Sequence, residues 1–139
     1  MRYSVGGEVP ARAWEPVSKV QLLKYAGASG DYNLIHTDVE TARAMGLGDV
    51  IAHGMLSMGM LGQFVAGLAG PENVRRLSVR FSAMVRLGDV LTCRGTVRAV
   101  DPRGMVTLEI AAVNQKGETV AGGEAEIFVA QEEIAHGTV

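Results

Sequence analysis

Cysteine is almost missing from this chain: Cys93 is the only one, so no internal disulfide can form and a reducing, cytoplasmic setting suits it. Excess charge is missing too. The formal net charge is -2, which gives no bulk electrostatic pull toward nucleic acid or an anionic membrane. A long hydrophobic run is also lacking. The longest, Gly54 to Gly70, is interrupted by glycines, Ser57 and Gln63 and falls short of the ~20 predominantly apolar residues of a membrane span. It is expected to be a buried helix, with no membrane attachment. The first twenty residues hold Glu8, Pro10, Glu15 and Pro16 and no apolar core of a secretory signal. No internal repeat, low-complexity tract or linker is visible.

What is present is an ordinary globular composition, 47% hydrophobic and 20% charged over 139 residues. Residues 1–139 are expected to form one domain, burying roughly two-thirds of the surface of the unfolded chain. A short strand is expected around Gly7 to Trp14. Ser18-Lys19-Val20-Gln21 has the form of a capping box, with Val17 and Leu22 placed as a hydrophobic staple. The helix it opens should run from Lys19 to about Ala28, bury Val20, Leu23 and Ala26 or their neighbours, and stop at Gly30. Thr37-Asp38-Val39-Glu40 has the form of a second capping box, opening a short helix that stops at Gly46.

From Gly54 to Leu68 the pattern is apolar on every side, as in a helix that is surrounded. Its glycines cost roughly 1 kcal/mol each against alanine, which suggests close packing against the backbone. Four runs of strict alternation follow: Leu77 to Val85, Leu91 to Ala99, Val106 to Ala112 and Ala121 to Val129. They predict an antiparallel meander with one apolar face, and arginines and threonines on its other face read as solvated surface. The fold class is α+β, a sheet curled around one apolar helix.

The chemistry-bearing residues gather between Gly30 and Gly54. Asp31 and His36 are five positions apart, up to about 17 Å in an extended chain. They meet only if the backbone bends, and Gly30, Asp31 and Asn33 favour bends. Brought together, a carboxylate and an imidazole can hold and polarise a water, which makes Asp31 and His36 the candidate catalytic pair. A helix cap or a surface ion pair has the same spacing and stays open as the alternative. His36 precedes a helix start, whose dipole would favour its neutral form. Asp38 and Glu40 are explained by that helix start alone and are left out of the site. His36, Asp38 and His53 are competent metal ligands, but no further ligand or close spacing joins them, and no metal is expected. His136 reads as a bystander in a polar tail.

The stretch Tyr25 to Asp38, with Gly30-Asp31, Asn33, Ile35-His36 and Asp38 in order, followed by Ile51-Ala52-His53-Gly54-Met55, resembles the signature of the MaoC-like proteins. These are hotdog-fold (R)-specific enoyl-CoA hydratases and 3-hydroxyacyl-ACP dehydratase subunits, and the resemblance spans nearly the whole chain. Leu34 stands where that family usually has proline. The resemblance implies a hotdog fold and a hydro-lyase adding water to trans-2-enoyl thioesters. It implies Asp31 and His36 as the catalytic pair and the Gly54 amide as the oxyanion donor to the thioester carbonyl. Around that donor, His53 packs at the helix start or takes part directly, Ser57 touches the thioester or caps locally, and Asn33 shapes the loop and steadies Asp31. No cofactor is implied. The implied substrates are acyl-CoA or acyl-ACP, and the implied assembly is a homodimer, or a heterodimer with a related hotdog subunit. The rivals are a hotdog thioesterase, disfavoured by the lack of an acidic residue from Gly54 to Gly70, and a non-catalytic hotdog subunit, disfavoured by the Asp/His pair.

Overall fold

The second half of the chain supplies the four antiparallel strands that its alternation predicts, in a different spatial order. The structure, a computed structural model, describes residues 2–135; His136 lies outside the described residues. Strands β2 (Val74–Phe81), β3 (Thr92–Val100), β4 (Met105–Val113) and β5 (Thr119–Phe128) pair antiparallel, and a short β1 (Arg12–Ala13) completes the order β1-β3-β4-β5-β2. The expected four-strand meander is corrected: only β3, β4 and β5 follow one another, and β2 pairs with the far edge of β5, because alternation sets which side of a strand faces the core and not which strand lies beside it. The first alternating run also stops short, with β2 ending at Phe81, which is 45% exposed. Cys93, Val97, Leu108, Ile110, Ala125 and Ile127 are buried on the inner face. Helix α3 (Gly54–Ala69) lies against that face, giving it Met60, Leu61, Phe64 and Val65. On the outer face Arg76 stands opposite Glu126, and Arg98 pairs with Glu109. Charges of both signs alternate there, the pattern of a solvated face.

Several local expectations are corrected. The first strand is only two residues long, because Pro10 has no N–H to give. Residues 7–14 nevertheless follow the β3 edge through bonds such as Val9 N–H to the Gly95 carbonyl and Trp14 N–H to the Leu91 carbonyl. Ala99 turns outward because a bulge shifts the β3–β4 register between Val97 and Ala99. Helix α1 (Lys19–Ser29) is capped by Ser18, whose Oγ accepts from Gln21 N–H, and it buries Leu22 and Ala26. Val20 and Leu23 stay 58% and 52% exposed, because the helix turns Leu22 inward, into the core that also holds Val17. Helix α2 (Val39–Ala44) starts at Asp38 rather than Thr37, and the Asp38 carboxylate takes the Thr41 hydroxyl instead of capping an amide.

Helix α3 is not enclosed. Met55, Gly59, Gln63 and Gly67 form an open stripe, and a Cβ at Gly59 or Gly67 would meet nothing within 4 Å among the described residues. Close approach occurs instead across the sheet. A Cβ at Gly95 would lie 2.9 Å from Val9 and 3.6 Å from Phe64. Among the described residues, no helix is long and apolar enough to cross a membrane.

Candidate active site

The loop after α1 is coiled by its own side chains. Gly30 ends the helix at φ 76, a left-handed conformation that glycine adopts without strain. Ser29 Oγ accepts the Asp31 amide, Asp31 Oδ1 accepts the Asn33 amide, and Asn33 Oδ1 accepts the Ile35 amide. These three polar turns wind residues 34–36 into a short 3-10 turn. Leu34 occupies its first position, where proline would preset φ at no cost in hydrogen bonds; here the polar turns do that work. The bend brings Asp31 to His36.

His36 is buried, and its Nδ1 lies 2.8 Å from the Ile51 carbonyl. A carbonyl only accepts, so Nδ1 carries a hydrogen, and in the neutral ring Nε2 is the nitrogen with the lone pair. That Nε2 sits 3.8 Å from Asp31 Oδ2, too far for a direct hydrogen bond and close enough to share a solvent molecule. The Asp31 side chain is 51% exposed against 9% for His36. The pair therefore joins a wet carboxylate to a buried base.

His53 stacks on the His36 ring, with centroids 3.8 Å apart and planes 24° apart. Tyr25 leans on its other surroundings at 4.7 Å. Its Nε2 lies 3.2 Å from the Asp31 carbonyl, so that nitrogen donates, while Nδ1 is buried with no partner among the described residues. Burial pushes the His53 imidazole below the usual histidine range, partly offset by the bond to the Asp31 carbonyl. Asp31, His36 and His53 bring potential ligand atoms within 4.8 Å of one another, with Asp31 in the place where Asp38 was considered. Each histidine gives one ring nitrogen to a backbone carbonyl, which leaves His36 Nε2 and His53 Nδ1 as the nitrogens without a hydrogen-bond partner among the described residues.

The other end of the site is the start of α3. Gly54 is its first residue, no side chain caps it, and its N–H has no acceptor among the described residues. An unpaired amide at the positive end of a 16-residue helix attracts developing negative charge. A Cβ at Gly54 would lie 3.7 Å from the Phe81 ring, an ordinary contact. The fold does not need glycine there, and the missing side chain leaves room for a ligand atom beside the amide. Ser57 donates its hydroxyl to the Gly54 carbonyl at 2.8 Å. One cavity of about 170 Å³ joins these groups: His36, His53, Gly54 and Ser57 on one side, Ile51, Phe81, Met84 and Val85 on the other.

The family model described as "MaoC like domain" matches residues 2–119. The chain belongs to the MaoC-like family. Among curated relatives of this MaoC-like chain, the (R)-specific enoyl-CoA hydratase of Rhodospirillum rubrum is 31% identical over 115 residues, covering 81% of this chain and 80% of that protein. The 3-hydroxyacyl-thioester dehydratase Z of Mycobacterium tuberculosis is 28% identical over 112 residues, covering 76% and 74%. The unliganded R-hydratase PhaJ1 of Pseudomonas aeruginosa superposes with a TM-score of 0.82 at 31% identity, over 92% of this chain and 83% of that one. The fold is therefore a hotdog and the chain a hydro-lyase of the MaoC-like family.

Of the residues expected in the MaoC-like site, His36, His53, Gly54 and Ser57 line this cavity, and Asp31 lies outside its lining, beside His36. Asn33 lies apart from it and turns its side chain onto the Ile35 amide. Its own amide, not its side chain, holds the Asp31 carboxylate. Tyr25, Phe81 and the Ile51 carbonyl went unforeseen. Each reaches the site from a separate segment, and no local pattern announces such a meeting.

Proposed function

We propose that this MaoC-like protein adds water reversibly to trans-2-enoyl thioesters, giving (R)-3-hydroxyacyl thioesters, with Asp31 and His36 gripping the water and Gly54 N–H binding the thioester oxygen. What carries the reading is one cavity lined both by His36, whose Nδ1 is held by the Ile51 carbonyl so that Nε2 is left for solvent, and by the Gly54 amide, which has no acceptor among the described residues. In the hydration direction the water oxygen bonds to C3, and the C2–C3 π electrons move onto the thioester as an enolate held by the Gly54 amide. The Asp31–His36 pair takes the water's proton and returns it to C2. Dehydration is the same path reversed. Atoms balance with water alone, so the reaction calls for no redox cofactor. A preorganised donor of this kind is worth on the order of 10²–10³ in rate.

The substrate is a coenzyme A or acyl-carrier-protein thioester. At about 170 Å³ the cavity is smaller than the ~300–1,000 Å³ of usual small-ligand pockets, so one protomer covers only the reacting end. Strand β2 is paired on one side alone among the described residues, and an open edge favours a second hotdog chain joined sheet to sheet. Sizing chromatography of the lone protein, with activity measured on the dimer fraction, separates a homodimer from an obligatory related subunit.

Crotonyl-CoA tests the chemistry. Hydration removes the enone absorbance without releasing thiol. Free thiol would instead indicate a thioesterase, for which α3 lacks a carboxylate; no change in either signal would indicate a scaffold. Either of those outcomes overturns the proposal.

A further inference from the structure

We propose that His53 is a positioning residue that ties the water-holding end of the site to the carbonyl-holding end, an inference that rests on the hydratase reading above. The site has two parts that the chain places separately. Asp31 sits on an exposed loop, and the Gly54 amide sits on a helix. The other hydrogen bonds of residues 29–33 stay within the loop and its neighbouring turns. They set the loop's shape, and the bonds of Ile35 and His36 to Ile51 anchor its far end near the start of α3, but none of them holds the Asp31 backbone to that helix.

His53 supplies the missing tie. Its Nε2–H reaches the Asp31 carbonyl at 3.2 Å across 22 positions of sequence. Its ring lies on that of His36 at 3.8 Å, and its own peptide group leads into Gly54. One residue thus touches both members of the pair and is bonded to the oxyanion donor. Packing alone does not call for an imidazole here. His53 is 2% exposed and its Nδ1 is left without a partner, a penalty an apolar ring would avoid. What an apolar ring lacks is the donor to Asp31. Reacting groups displaced by even about 1 Å can lose on the order of 10²-fold in rate, so a tie of this kind acts on kcat.

Two variants separate ring from donor. His53→Phe keeps an aromatic ring against Tyr25 and His36 and removes the donor; His53→Gln keeps a donor and removes the ring. With crotonyl-CoA, His53→Phe should lower kcat by about tenfold or more with KM within about twofold, and His53→Gln should recover part of that loss. In an Asp31→Asn background, His53→Phe should cost less than about twofold more, because the group it positions no longer works. Amide exchange at Asn33 and Ile35 should quicken in His53→Phe whatever the activity. Wild-type kcat in His53→Phe, a change in KM alone, a fully additive loss on Asp31→Asn, or unchanged exchange would each overturn the proposal. Failure of both variants to fold would also overturn it, by making the role structural. Wild-type protein inert toward enoyl thioesters would sink the hydratase reading instead, and the exchange measurement would then decide the tie.

Discussion

The sheet and the loop that carries the candidate catalytic pair keep their shapes by different means. Strands β3 to β5 are held by backbone ladders over most of their length and by burial that repeats at every second residue, as at Val106, Leu108, Ile110 and Ala112. The loop from Ser29 to His36, with His53 beside it, has less of either. Its form rests on single side-chain oxygens bonded to single amides, and its two buried imidazoles each rest on one carbonyl. The difference teaches where damage shows. Losing one sheet contact should cost stability and leave the site's geometry, because many similar contacts remain. Losing one loop contact should cost geometry and little stability, because nothing duplicates it.

The sharpest test of that contrast lies in the loop. Asp31→Asn or His36→Ala should reduce the hydration kcat by about 10²–10⁴. For Asp31→Asn, whose side chain is half exposed, the thermal midpoint should barely move. Full activity in Asp31→Asn would break the assignment.

Next in size is the helix start. Proline suits the first helical position, and His53 at ψ 136 already has the backbone that a following proline requires. Gly54→Pro should therefore fold while losing the amide hydrogen, with turnover down by on the order of 10²–10³. Gly54→Ala keeps that hydrogen and adds a methyl 3.7 Å from Phe81. Its smaller loss should appear mainly in KM. Equal losses in the two variants would show that crowding, not the donor, matters at this position.

The sheet should respond in the opposite sense. Leu108 is fully buried, and Leu108→Ala should lower the unfolding free energy by about 2–5 kcal/mol in a denaturant titration. Activity per folded molecule should stay near wild type below the transition. A large drop in turnover there would blur the distinction between the two regions.

The smallest effect is a tilt with pH. Burial holds the folded His53 below the ordinary histidine value, so the unfolded chain binds more protons between the depressed value and about 6.5. Unfolding free energy should rise with pH across that window and flatten above it. Acidification through the folded value removes the contribution, and urea midpoints measured across the window should lose this component of their slope in His53→Phe.

Much of the fold was legible because its determinants are local. Period-two burial placed β4 residue by residue, and Ser18 three positions before Gln21 marked the start of α1. Period 3.6 left the facing side of α1 ambiguous, and the core that holds Val17 and Leu22 resolved it in favour of Leu22 and Ala26. The bulge after Val97 was invisible, since it depends on the register of the neighbouring strand. In the site, Asp31 and His36 were identifiable by residue type and by the bend-prone residues between them. The Asp31–His53 bond was not, because it joins residues 22 positions apart.

The amino-acid order alone determined the four strands and their alternation, the two capped ends of α1, the bend that carries Asp31 toward His36 and the helix start at Gly54, but not the place of β2 beyond β5. Backbone preference, side-chain period and short polar turns act over a few residues and are written in consecutive positions. Only the tertiary structure decided that the His36 proton goes to the Ile51 carbonyl, that His53 stacks on His36 while holding Asp31, and that Phe81 closes the cavity over Gly54. Those contacts join separate segments, and their geometry exists only once the sheet has brought the segments together.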